Sequence, residues 1–246
     1  MSPDAELHAL DAFLADVYAA QSIPDLNQAI IKGSRGFGYD RFNVSILHDI
    51  EMPPWMQKFA LSCNYSDAWV QRYVRKNYVE CDPVAQNARS GVSPFFWDDL
   101  ALKGNLNRSQ LKVLGEAREA RLFHGVGIPF SGSAGLRGGI ALAVSDPDLE
   151  HSKNLRLLRT MTGTYYQQLK FLALQEESQR LSLAPRETEV ALLICFGKTN
   201  PEIARSLGRS KHTINAQVRQ IFKKLDVHSR PELVFRCLSC GFFAPE

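Results

Sequence analysis

Between Leu183 and Gly241 the spacing of turn residues and apolar residues is so tight that few folds can accept it. Pro185, Arg186, Glu187 and Glu189 give an acidic first turn beside a proline, and Val190, Leu193 and Ile194 follow as one helical face. Gly197 ends that helix. Thr199 and Glu202 have the spacing of a capping box, with Pro201 in the first turn, where its missing N–H costs nothing; a short helix through Ile203, Ala204 and Leu207 follows. Gly208 makes the turn, and Ser210 is placed to cap a further helix running to about Lys224. Ile214, Val218, Ile221 and Leu225 then form a single buried stripe, which turns Lys211, His212, Asn215, Arg219, Gln220 and Lys223 outward.

That outward face suits a DNA major groove. Arg can bond two guanine acceptors at once, Asn or Gln can pair with adenine, and cations nearer the rim neutralise phosphates. From Gly197 to Arg230 the bases are Lys198, Arg205, Arg209, Lys211, Arg219, Lys223, Lys224 and Arg230, against the acids Glu202 and Asp226. The competing reading is an amphipathic surface helix whose charges are simply solvated. Helix order, glycine turn and basic face all agree with one another, which favours the groove. The run of Gly197, Lys198, Thr199, Asn200, Glu202, Ile203 and Ala204, then Thr213, Ile214 and Asn215, then Lys224 and Leu225, resembles the LuxR-type helix-turn-helix. The resemblance implies DNA contacts at Lys198, Thr199, Asn200, Lys211, His212, Thr213, Asn215, Arg219 and Lys223. Response regulators share this module, so the rest of the chain must decide.

A chain of 246 residues accommodates one larger and one smaller domain. The formal charge of +3 is informative only through its concentration near the C-terminus. Asp4, Glu6, Asp11 and Asp16 leave no signal-peptide pattern, and no apolar stretch is long enough to span a bilayer, so a cytoplasmic protein with no membrane partner is expected. The cysteines, Cys63, Cys81, Cys195, Cys237 and Cys240, sit among apolar neighbours as reduced thiols would. Cys237 and Cys240 have C-x-x-C spacing without a second pair of ligands, so no metal is expected.

Along the chain, residues 5–20 and 23–36 read as helices, with Ser22 capping the second. Phe42–Leu47 and Lys58–Cys63 read as strands, Ser66–Tyr78 as a helix, Asp82-Pro83 as a helix start, Phe95–Trp97 as a short strand and Asn107–Ala120 as a helix. Gly125–Phe130 and Gly139–Val144 read as paired strands joined by a turn around Gly132 and Gly135, and Leu149–Leu174 as a long helix. Its apolar positions near heptad spacing fit a dimer seam or a packed core equally well. The expected fold class is α+β: an N-terminal α/β/α sandwich on an antiparallel sheet (1–174), a polar linker (175–182), and a C-terminal all-α four-helix helix-turn-helix domain (183–246). Regular strand–helix alternation with acids at strand ends, which a phosphoacceptor domain requires, is absent.

Between Tyr65 and Trp97 the chain concentrates aromatic side chains with polar tips and one acid: Tyr65, Trp69, Tyr73, Asp82 and Trp97. Trp69 and Tyr73 share a helical face. Around a cavity, such groups would hold a small amphipathic ligand; taken singly, each also reads as core packing, and Asp82 as a helix cap. Their order, with Gly125 and Pro129, resembles the autoinducer-binding domain of the LuxR family. The resemblance implies an N-acyl-homoserine lactone ligand, with Trp69 donating to the lactone carbonyl, Tyr65 to the amide carbonyl, Asp82 accepting the amide N–H, Trp97 packing on the ring and Tyr73 lining the cavity beside them. Gly127 and Ala141 stand where many relatives carry Ser or Thr, which removes a donor and suggests room for a long acyl chain. An empty pocket would leave Asp82 poorly satisfied. At Ala184 a cap often held by Thr is missing.

The function implied is a quorum-sensing regulator that binds a small-molecule autoinducer and, as a homodimer, an inverted repeat in promoter double-stranded DNA, with RNA polymerase as a further partner. The alternative is a LuxR-type regulator answering to a non-lactone molecule or to none. An enzyme acting on the lactone finds no support: no nucleophile elbow, His-rich metal motif or phosphate loop is present, and no cofactor is expected.

Overall fold

The computed structural model describes residues 2–90, 93–103, 106–130, 132, 135–180 and 183–239. The chain forms two compact units, Met1–Leu172 and Ala173–Glu246.

In the first unit, α1 (Pro3–Ala19) and α2 (Ile23–Gly36) are capped by the hydroxyls of Ser2 and Ser22. Strands β1 (Arg41–His48) and β2 (Lys58–Cys63) follow, then α3 (Asp67–Arg75), α4 (Pro83–Ser90), β3 (Phe95–Phe96), α5 (Trp97–Lys103), α6 (Arg108–Glu119), β4 (Gly125–Pro129) and β5 (Arg137–Ala143). The sheet is antiparallel throughout, in the order β2-β1-β5-β4-β3. Alternation along β1 puts Phe42, Val44 and Ile46 on one face, fully buried, and Asn43, Ser45 and Leu47 on the other. Helices α1, α2 and α7 (Leu155–Arg180) cover the first face. Tyr165 Oη donating to Asn27 ties α7 to α2, and Ser152 Oγ donating to Glu6 ties α1 to the segment that leads into α7. The other face lies under α3 to α6.

One rung crosses all the strands: Cys63 faces Asn43, Asn43 faces Ala141, Ala141 faces Gly127, and Gly127 faces Phe95. A small-residue valley thus lies between larger side chains.

Several bounds differ from the sequence reading. The helix from Ser66 stops at Arg75 because Asn77 takes a left-handed conformation (φ 48°), and Tyr78–Glu80 forms a separate 3-10 turn. Trp97 opens α5 instead of closing a strand; Asp98 and Asp99 in that first turn favour the helix. The long helix starts at Leu155, where Asn154 Oδ1 accepts from the Leu157 N–H, and continues to Arg180, so residues 175–180 of the expected linker are helical and 181–182 lie outside the described residues.

The second unit contains α8 (Pro185–Cys195), α9 (Asn200–Ser206), α10 (Lys211–Leu225) and α11 (Arg230–Ser239). Val190, Ile194, Ile203, Ile214, Ile221, Leu225 and Leu233 form its core. Gly197 (φ +74°) and Gly208 (φ +62°) end α8 and α9 in the left-handed conformation that glycine adopts freely. At Ala184 no side chain caps α8, but Glu187 accepts from the Ala184 N–H at 2.8 Å and from Lys224 Nζ at 2.6 Å. Cys240, and with it the C-x-x-C spacing, lies outside the described residues.

Candidate ligand cavity and nucleic-acid interface

A cavity with about 890 Å³ of atom-free space, mouth included, lies between the sheet and the helices α3, α4 and α6. Each sequence-derived ligand residue lines it: Tyr65, Trp69, Tyr73, Asp82, Trp97, Gly127 and Ala141. Trp69 and Tyr73 meet edge to face with centroids 5.8 Å apart, and Phe59 stacks flat on Tyr73 at 4.5 Å.

Asp82 is more fully engaged than its sequence context implies. Tyr73 donates its hydroxyl to Oδ2 and the Val84 N–H donates to Oδ1, each at 2.8 Å. The expectation that an empty pocket leaves this carboxylate poorly satisfied is therefore corrected: it caps α4 and holds Tyr73 at once. Burial raises its pKa above the ordinary 3.8, while the Tyr73 hydroxyl, the N–H groups of Val84 and Ala85 and the charge of Arg89 pull it back. Burial, then the Asp82 charge, pushes the Tyr73 phenol well up, so it keeps its proton and acts as the donor.

The unsatisfied groups are elsewhere. Tyr65 Oη and Trp97 Nε1 are buried and have no hydrogen-bond partner. Leaving such donors unpaired costs about 1 to 3 kcal/mol each. Trp97 is therefore more than a flat packing surface. Its indole lies where a Cβ on Gly125 would come within 2.4 Å of it, so that glycine is needed for the close approach.

Gly127 does not open the space expected of it. A Cβ there would lie 2.4 Å from the Phe95 ring, which already occupies that volume. Ala141 borders the cavity beside it. The polar groups missing from β4 and β5 appear on β1 instead, where Asn43 and Ser45 line the floor with Ser45 Oγ donating to Asn43 Oδ1 at 3.2 Å. Neither was singled out from the sequence. The signal was the alternation Phe-Asn-Val-Ser-Ile at 42–46, whose polar members share one face. Arg89, beside Glu80 at 3.3 Å, also reaches the lining.

On the second unit, α10 starts as expected, with Ser210 Oγ accepting from the Thr213 N–H at 3.0 Å. Lys198, Thr199, Lys211, His212, Thr213, Arg219 and Lys223 are exposed. Asn200 and Asn215 are half-buried, with Asn200 Nδ2 donating to Asn215 Oδ1 at 2.7 Å, so they join α9 to α10 and are not simply turned outward. The cations sort into separate groups. Lys224 is paired with Glu187, Arg209 with Glu189, and Arg230 donates to the Lys198 carbonyl. Among the described residues Lys198, Lys211, Arg219 and Lys223 have no ion-pair partner, which leaves their charge available to phosphate.

Residues 22–169 match the family model of the autoinducer binding domain, and residues 181–237 that of the bacterial regulatory proteins, luxR family. The chain belongs to the LuxR family. It is 30% identical over 226 residues to the transcriptional activator protein AhyR of Aeromonas hydrophila, covering 89% of this chain and 86% of that one. Identity to the quorum sensing-dependent regulator RpaR of Rhodopseudomonas palustris is 28% over 187 residues, 76% of each chain. In fold it is similar to the crystal structure of Escherichia coli SdiA, with a TM-score of 0.65 at 19% identity over 97% of this chain and 99% of that one. SdiA in complex with octanoyl-rac-glycerol gives a TM-score of 0.66 at 18% identity, over 98% and 97% of the two chains. As a LuxR-family member the chain is a DNA-binding transcriptional regulator with an autoinducer-binding domain, and not an enzyme. Among the described residues no helix is long and apolar enough to cross a membrane.

Proposed function

We propose that this LuxR-family regulator binds an N-acyl-homoserine lactone in the cavity and, as a cytoplasmic homodimer, reads an inverted repeat in promoter DNA, where RNA polymerase is recruited. The observation that carries the ligand reading is the pair of buried, unpartnered donors, Tyr65 Oη and Trp97 Nε1, bordering an otherwise mostly apolar cavity. A ligand with carbonyl acceptors at one end and a hydrocarbon tail at the other satisfies both features. Tyr65, Trp69, Tyr73, Asp82 and Trp97 form the polar end; Gly127 and Ala141 belong to the floor. Lys198, Lys211, Arg219 and Lys223 supply phosphate and base contacts, with Thr199, His212 and Thr213 on the same surface and Asn200 and Asn215 bracing it. A two-fold protein of this kind requires half-sites about one helical turn apart.

A second reading, a non-lactone acyl ligand, is favoured by one observation: Asp82 already accepts from Tyr73 and Val84, so a ligand need not bring an N–H to it. The SdiA complex contains such a molecule, octanoyl-rac-glycerol. To separate the readings, the protein is expressed in cells supplied with lactones of short to long chain, purified, and its retained small molecule identified by mass spectrometry. Near-stoichiometric recovery of one lactone supports the first reading. An acyl glycerol, or folded protein with nothing bound, rejects it.

A further inference from the structure

Asn215 lies on α10 between Lys211 and Arg219, four residues from each, and so shares the exposed face that those cations mark. Its side chain is half-buried, with Asn200 at the start of α9 donating from Nδ2 to its Oδ1 at 2.7 Å. The sense of that bond is set one step further back. Arg230, at the start of α11, donates from Nη2 to the Lys198 carbonyl at 2.6 Å and to Asn200 Oδ1 at 3.4 Å. A guanidinium has no acceptor, so Asn200 turns its oxygen to Arg230 and its N–H groups to Asn215.

Three helices thus fix the orientation of one amide. The Asn215 oxygen is turned to α9, and its Nδ2, which has no acceptor among the described residues, is the group left to present. An asparagine that pairs bidentately with adenine needs both amide groups at the base edge, one donating and one accepting. With its oxygen turned away, Asn215 offers N–H groups alone. Guanine meets them with two major-groove acceptors, whereas adenine sets its own amino group against one of them.

We infer that Arg230, acting through Asn200, is a positioning residue that makes Asn215 a donor-only reader, selecting guanine over adenine at one base pair of each half-site. This rests on the promoter-reading proposal above.

The test is selection from random-sequence DNA by the full chain, expressed in cells supplied with acyl-homoserine lactones. The wild-type chain is expected to favour guanine over adenine by about tenfold at one position of each half-site, the discrimination that one well-placed side chain supplies. Asn215→Ala is expected to lose that preference there alone. Asn200→Asp keeps the shape and the bond to Arg230 but only accepts, so Asn215 must donate to it and turn its oxygen outward. The preferred base at the same position is then expected to become adenine or cytosine, which offer an amino group. Weaker binding of every sequence by Asn200→Asp, with that preference unmoved, is the mark of bracing alone and overturns the proposal. So does a selected site that Asn215→Ala leaves unchanged, or adenine at the position Asn215 reads. If Asn200→Asp does not fold, Arg230→Met decides the matter by releasing the oxygen of Asn200: the guanine preference is expected to fall, and an undiminished one overturns the role of Arg230. Capture of no site by the wild-type chain overturns the promoter reading as well.

Discussion

Tyr73 on α3 and Asp82 at the start of α4 are joined by a hydrogen bond of 2.8 Å, and the other oxygen of the same carboxylate caps α4 through the Val84 N–H. One acid therefore links α3 to the first turn of α4 at the cavity wall. It also makes a polar pair that a ligand joins rather than creates.

Loss of that hydroxyl should have a pH signature. Asp82 is raised above 3.8, so the native state holds the extra proton between 3.8 and the raised value. Its contribution to stability is therefore full below 3.8 and is lost as pH rises through the raised value. Tyr73 favours the ionised form, so Tyr73→Phe should push Asp82 higher and cost about 2 kcal/mol where Asp82 is charged. Urea unfolding at acid and neutral pH checks this: the deficit should be larger at neutral pH, and an equal deficit at both would contradict the assignment.

Tyr65→Phe should act in opposite directions on stability and binding. Removing an unpaired buried hydroxyl relieves a cost of about 1 to 3 kcal/mol in the ligand-free chain, whereas the bound chain loses a donor. Thermal melts without ligand should rise or hold, while retention of lactone after purification falls. A lower melting temperature with unchanged retention would mean the hydroxyl has another partner.

Gly125→Ala places a methyl 2.4 Å from the Trp97 ring. Overpacking of this kind costs about 1 to 3 kcal/mol and shifts the indole from its seat. The unfolding midpoint should drop and ligand retention with it; a variant matching the wild type in both would show that the ring yields freely.

The free and tied cations of the second unit should separate in DNA binding. Using a site selected from random-sequence DNA, Arg219→Ala should weaken binding by about 1 to 3 kcal/mol if it reads a base, and Lys211→Ala or Lys223→Ala should reduce the salt slope by about one. Lys224→Ala removes the partner of Glu187 and should lower stability without changing that slope. A slope change for Lys224 and none for Lys211 would reverse the partition.

The helix-turn-helix was legible almost residue by residue, because its signals are local: Gly197 and Gly208 carry the positive φ that their type allows, Ser210 caps the helix it precedes, and the stripe from Ile214 to Leu225 is buried. The cavity was legible in its membership, since Tyr65, Trp69, Tyr73, Asp82 and Trp97 converge on it. What escaped was set by long-range packing. The Phe95 ring over Gly127 depends on strand register, and the Tyr73–Asp82 bond depends on how α3 meets α4. Asn43 and Ser45 escaped for the same reason: alternation marks a face, but only the assembled sheet says what that face borders.

The glycines of β4 and β5 limit where novelty can arise in this receptor. A side chain at Gly138 would strike the Ser45 carbonyl at 2.7 Å, and one at Gly139 the Ile128 carbonyl at 2.5 Å, so backbone, not a movable side chain, forbids both. Gly125 and Gly127 are closed by rings. A different signal is therefore accommodated by side chains already standing around the cavity, Asn43, Ser45 and Ala141 on the floor and Val84, Ala88 and Leu114 on the helices opposite, and not by new ones at those glycines.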